Sequence, residues 1–130
     1  DNFRFEKFLP GVALARRCDL VIHHGGHGTT MTAAYAGTPS VIIPTYSERE
    51  SNARRMTALG AAEMILPDTD ASFARRMPPE VLWKTAAKVL ADPAYKESAK
   101  KISRKMSEYG GAQEAARLID VFAGQTGDRR

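Results

Sequence analysis

A single cysteine, Cys18, stands in the 130 residues, so no disulfide can form within the chain. A reducing compartment, the cytosol by default, is therefore the expected location. No apolar run approaches the roughly 20 residues that span a bilayer, which excludes stable membrane insertion through a helix. No basic-then-apolar leader opens the chain. Two phosphate-binding signatures are also missing. Gly26-His27-Gly28 gives the first two glycines of a dinucleotide fingerprint, but Met31 stands where the third belongs, and no Gly-Lys-Ser/Thr follows. Three histidines, His23, His24 and His27, fall close together, yet neighbours on a strand point to opposite faces and no carboxylate-rich stretch adjoins them. No metal and no cofactor are expected.

What is present suits one domain with a real core. The net charge of +4 is unevenly placed, with twelve Lys/Arg against seven Asp/Glu in residues 71–130. Much of the excess lies in Lys96, Lys100, Lys101, Arg104 and Lys105 at helical spacing. Ala99, Ile102 and Met106 give the same helix an apolar side, so the stripe reads as a solvated helix face and not as a nucleic-acid surface.

Apolar runs alternate with capped helical patterns. Strands are expected at residues 3–8, 19–23, 40–44 and 62–66, the second and third apolar enough to be covered on both faces. Helices are expected at 11–17, 29–36, 48–59, from Pro79 to Leu90, 94–108 and 112–122, with a polar loop over 68–77. This order predicts an α/β fold, a Rossmann-like parallel sheet flanked by helices, over residues 1–123, followed by a flexible tail at 124–130. Cys18, with only Arg16 and Arg17 as basic neighbours, is expected to be a buried, inert thiol.

Residues 19–37 organise the rest. An apolar strand ending at His23 runs into Gly25, Gly26 and Gly28, and a helix begins near Thr29, which Thr29 or Thr30 can cap. A glycine turn lets backbone approach a ligand closely, and the helix's free N–H groups and positive dipole end face that turn. Such a junction suits phosphate or diphosphate, although a strand–turn–helix junction can also be pure architecture. His24 and His27 stand beside it as further donors, whereas His23 is expected to pack between strand and helix. Glu48 and Arg49 open a helix after the next strand, at the carboxyl edge where ligands bind in open α/β sheets. Glu48 there can equally serve the helix dipole alone.

Phe8-Leu9-Pro10, Val21-Ile22-His23-His24, Gly25-Gly26-His27-Gly28-Thr29-Thr30, Ala36-Gly37-Thr38-Pro39, Ile42-Ile43-Pro44, Glu48, Asn52-Ala53 and Leu59-Gly60-Ala61 occur in an ordered set. That set resembles the C-terminal, donor-binding half of the nucleotide-sugar-dependent glycosyltransferases of the two-domain GT-B type. It is most similar to the bacterial branch that glycosylates macrolides and other natural products. The resemblance implies that His24, Gly28, Thr29 and Thr30 bind the donor's diphosphate. It implies that Phe8, Leu9 and Pro10 hold the nucleoside, with Thr32 where the family usually has a ribose-binding Glu. It also implies that Glu48 bonds the donor sugar, with Arg49 where the family often has Gln.

The implied activity is inverting transfer of a sugar from a nucleotide diphosphate sugar to an acceptor hydroxyl. The resemblance further implies an upstream acceptor domain carrying the general base, so that no residue of this chain is catalytic and the segment alone is inactive. Self-association of the segment through an unpaired sheet edge is expected as well. Two other functions fit the same residues: a nucleotide-sugar epimerase of the same fold, and a non-catalytic nucleotide-sugar-binding module.

Overall fold

The computed structural model describes residues 2–69 and 75–127. Three short parallel strands, β1 (Val21–His23), β2 (Ser40–Ile42) and β3 (Ala62–Met64), form one sheet in the order β1-β2-β3. Val21 pairs with Ser40, and Ser40 in turn with Ala62. Parallel neighbours require crossovers, supplied by α2 (His27–Ala36) between β1 and β2 and by α3 (Ser47–Ala58) between β2 and β3. A five-residue helix, α1 (Gly11–Ala15), precedes the sheet. The chain closes with α4 (Pro79–Ala91), α5 (Pro93–Ser107) and α6 (Gly111–Gly127).

Alternation along β2 divides the core. Ile42 packs on one face with Ala34 of α2, Ala53 and Met56 of α3, and Ala99 of α5. Val41 packs on the other with Ile65 and Val89 of α4. Both faces are covered, so every residue of β2 is fully buried. Residues from three helices thus meet Ile42 in one cluster. The connection between α4 and α5 is sharp: Asp92 accepts the Ala94 N–H at 2.9 Å and Pro93 starts α5. Lys88 of α4 donates to the Glu63 carboxylate on β3 at 2.8 Å, and Tyr95 of α5 donates to the same oxygen.

The α/β class and the parallel pairing of the central strands are as the sequence predicts; four details are not. Residues 3–8 form no strand. Phe3, Phe5 and Phe8 alternate with polar residues but are 81%, 91% and 84% exposed, with no sheet face beneath them. β1 is not covered on both faces: its Ile22 is half exposed, and the strand lies at the edge of the sheet. Within the expected loop at 68–77, β4 (Asp68–Thr69) and β5 (Arg75–Arg76) pair antiparallel, and residues 70–74 lie outside the described residues. The last helix continues past Phe122 to Gly127, and residues 128–130 of the expected tail also lie outside the described residues. Cys18 is half-buried.

Candidate functional site

β1 ends at His23, and α2 starts four residues later, two residues before its expected start. Gly26, not a threonine, is the N-cap residue. The first intrahelical bond runs from the Thr30 N–H to the Gly26 carbonyl at 3.0 Å. The N–H groups of His27, Gly28 and Thr29 therefore precede the helical ladder at the positive end of the helix dipole. Thr30 does not cap. It is buried, and its hydroxyl donates back to the Gly26 carbonyl at 2.9 Å, so that proton is committed within the helix. Thr29 is half-buried and Gly28 is exposed, with open space where a side chain would stand.

The two adjacent histidines differ in kind. His24 is exposed and folds over the turn, its Nε2 lying 2.6 Å from the position a Cβ on Gly26 would occupy. His23 is largely buried, and its Nδ1 accepts the Gly25 N–H at 3.1 Å. Burial, with the His24 ring alongside, lowers its pKa to about 4, which keeps the ring neutral at physiological pH. With Nδ1 accepting, the ring proton resides on Nε2. That Nε2 is buried and has no partner among the described residues. His27 opens α2, exposed, beside Asn52 and Arg55 at a groove between α2, α3 and α5.

α3 meets this turn from the side. Gly25 has φ +83°, and a Cβ there would lie 2.7 Å from the Arg49 carbonyl oxygen, so only glycine permits the approach. Asn52 Nδ2 donates to the Gly25 carbonyl at 3.0 Å and to Glu48 Oε1 at 2.8 Å. Glu48 is exposed in the first turn of α3. Arg49 donates through Nη1 to the Thr45 hydroxyl, and its guanidinium stands 4.6 Å from the centre of the Tyr46 ring, so part of its donor set is already engaged.

The structure thus brings His24, Gly28, Thr29 and Glu48 to one edge, the carboxyl end of the sheet. Phe8, Leu9 and Pro10 lead into α1, which packs against α2. A Cβ on Gly11 would lie 3.3 Å from Thr32 Cγ2, so the expected nucleoside segment and Thr32 are neighbours. Phe8 is 84% exposed, its ring unoccupied by protein contacts that would bury it. One residue without a role in the sequence reading emerges from the structure, Asn52, which ties the turn to Glu48, and Gly26 gains a specific one, making room for the His24 ring. The signal for Asn52 was its position four residues after Glu48 on a helix, where side chains meet.

Known proteins resemble this chain over most of its length. The family description "Erythromycin biosynthesis protein CIII-like, C-terminal domain" matches residues 1–121. The chain is 29% identical over 128 residues to the NDP-glycosyltransferase YjiC of Bacillus licheniformis, covering 98% of this chain and 30% of that protein. It is 34% identical over 123 residues to the 3-alpha-mycarosylerythronolide B desosaminyl transferase of Saccharopolyspora erythraea, covering 95% of this chain and 28% of that one. Among solved structures, it superposes on the spinosyn rhamnosyltransferase SpnG complexed with thymidine diphosphate with a TM-score of 0.74 at 28% identity, covering 86% of this chain and 29% of SpnG. The chain spans about a third or less of the length of these relatives. It belongs to the family of erythromycin biosynthesis protein CIII-like C-terminal domains, a C-terminal part of GT-B glycosyltransferases.

Proposed function

We propose that this chain is the donor-binding part of an inverting glycosyltransferase that moves a sugar from a nucleoside diphosphate sugar to the hydroxyl of a small-molecule acceptor. One observation carries the proposal: the free N–H groups at the start of α2, with His24 folded over Gly26, face the same sheet edge as the Glu48 carboxylate. A diphosphate has the charge for the first set and a sugar has the hydroxyls for the second.

In the reaction the acceptor oxygen bonds to the anomeric carbon, the bond from that carbon to the diphosphate oxygen breaks, and the acceptor's proton passes to a base outside these residues. Negative charge grows on the leaving diphosphate. Donors held in place at the helix N-terminus stabilise that charge without reorganising. His24, Gly28 and Thr29 are assigned to the diphosphate, the last two through their backbone N–H groups. Phe8, Leu9, Pro10 and Thr32 are assigned to the nucleoside, and Glu48 with Arg49 to the sugar. Thr30 supports the turn through its bond to Gly26. His23 is a second candidate for the diphosphate contact, because its buried Nε2–H lacks a partner among the described residues.

No metal and no cofactor enter the proposal, since the donors at α2 can neutralise the leaving group. The thymidine diphosphate bound to SpnG favours a thymidine diphosphate sugar as donor. The relatives carry glycosyltransferase names, which gives the epimerase reading no support. No helix among the described residues is long and apolar enough to cross a membrane, and the cytosol is the proposed compartment. Self-association of the isolated segment is proposed through β1, an edge strand paired with β2 alone among the described residues.

The test is product analysis of the full-length protein with thymidine diphosphate sugars and a panel of hydroxyl acceptors. Acceptor-dependent glycoside formation with release of thymidine diphosphate supports the proposal. Donor binding without transfer to any acceptor favours the non-catalytic module, and conversion of the sugar without an acceptor favours an epimerase.

A further inference from the structure

We infer that Asn52 is a positioning residue for donor-sugar recognition, acting through Glu48; the inference rests on the donor-site reading above. The Asn52 amide has two N–H bonds, and the structure uses both. One goes to the Gly25 carbonyl at 3.0 Å and the other to Glu48 Oε1 at 2.8 Å. Both partners are acceptors only, so the amide orientation is fixed by chemistry: the NH2 group faces them and Oδ1 does not.

Glu48 is an exposed side chain in a helical first turn, with several rotamers open to it. The Asn52 bond selects one of them and occupies Oε1, leaving Oε2 to receive a sugar hydroxyl. Because the same amide grips the carbonyl of Gly25, the carboxylate is set at a fixed distance from the turn that leads into α2. Gly25 can take part only because its φ of +83° and missing Cβ let α3 approach to contact. Diphosphate and sugar contacts are thereby registered to one another by a single side chain. An aspartate at position 52 has the same shape but offers acceptors to two acceptors, and would repel Glu48.

The experiment compares the full-length wild type with Asn52→Ala, Asn52→Asp, Glu48→Ala and the double variant Asn52→Ala/Glu48→Ala. It measures kcat/KM for a thymidine diphosphate sugar and the affinity of thymidine diphosphate, which lacks the sugar. Asn52→Ala is expected to lower kcat/KM about tenfold, as for loss of a hydrogen bond to a charged acceptor. Asn52→Asp is expected to lose more. Thymidine diphosphate affinity should fall by less than about threefold in both. On the Glu48→Ala background the Asn52→Ala change should cost less than about threefold, because its target is gone. Asn52→Asp, being isosteric, carries the test if the alanine variant folds poorly. Wild-type kcat/KM in both Asn52 variants overturns the inference. So does a full tenfold loss persisting on the Glu48→Ala background, or an equal loss of thymidine diphosphate affinity, which would make Asn52 a part of the turn alone. A wild-type protein that neither binds nor turns over nucleotide sugars fails the donor-site reading itself, before any variant is compared.

Discussion

The His24 ring lies over Gly26, with Nε2 2.6 Å from the place where a Cβ would stand. Gly26 has an ordinary backbone conformation, φ −59°, so its value lies in space rather than in flexibility. Replacing Gly26 by Ala is therefore expected to swing the His24 side chain aside while leaving the fold in place. Donor affinity of the full-length protein should fall about tenfold, the scale of one charge-assisted hydrogen bond. The melting temperature should stay within about 2 °C of wild type. Calorimetric titration with a nucleotide sugar, paired with a thermal melt, checks both.

Gly25 should behave in the opposite way. Its φ is +83° and the atom opposing a new Cβ is the Arg49 carbonyl oxygen, backbone against backbone, which cannot rotate away. Gly25→Ala is expected to destabilise the domain by on the order of 3 kcal/mol. The urea midpoint of the variant against wild type measures it, and an unchanged midpoint would mean that α3 and the turn do not hold this spacing.

His23 gives the domain a pH dependence whose sign is fixed. Its folded pKa is about 4 against an ordinary value of 6.5, chiefly because burial disfavours the charged ring. The unfolded chain thus binds a proton that the folded one refuses over this range. The contribution is complete above pH 6.5 and is lost as pH falls from 6.5 toward 4. About 2 kcal/mol is expected after allowance for the partial exposure of the ring. Urea unfolding at pH 7.5 and pH 4.5 should show this loss in wild type, and a smaller one in His23→Gln.

These residues also mark how far the sequence could be read. β2 was legible because the apolar run Val41-Ile42-Ile43, bounded by prolines at 39 and 44, suits a strand covered on both faces, and its residues are fully buried. The turn at Gly25 and Gly26 was legible because a glycine cluster between strand and helix serves close backbone approach. Residues 3–8 misled because a period of two marks a strand only where a sheet face exists to bury it, and Phe3, Phe5 and Phe8 have none beneath them. Thr30 misled because a threonine near a helix start can cap forward or bond backward, and local spacing does not decide between the two. Asn52 was visible in sequence, but its two acceptors belong to different elements, one of them 27 residues away.

Thr38 joins α1 to the core. It is fully buried, and its hydroxyl donates to the Ala15 carbonyl at the end of α1 at 2.7 Å. Thr38→Val keeps the shape and removes this bond, leaving the Ala15 carbonyl with the Cys18 N–H at 3.1 Å, at an expected cost of about 1 kcal/mol. α1 carries the chain from Pro10 to the sheet, so the variant should also weaken binding of the nucleoside more than binding of inorganic diphosphate. Urea unfolding and competition titrations with the two ligands check the two halves of this expectation.

The central claim is that the turn between β1 and α2 binds the donor's diphosphate. Backbone amide resonances of the full-length protein, followed during titration with thymidine diphosphate, test it most directly. The largest shifts are expected at Gly28 and Thr29, with neighbouring changes at His24 and Gly26, and they should be much reduced with thymidine alone. Saturable binding that leaves residues 24–30 unshifted, or equal shifts there with thymidine, would contradict the assignment.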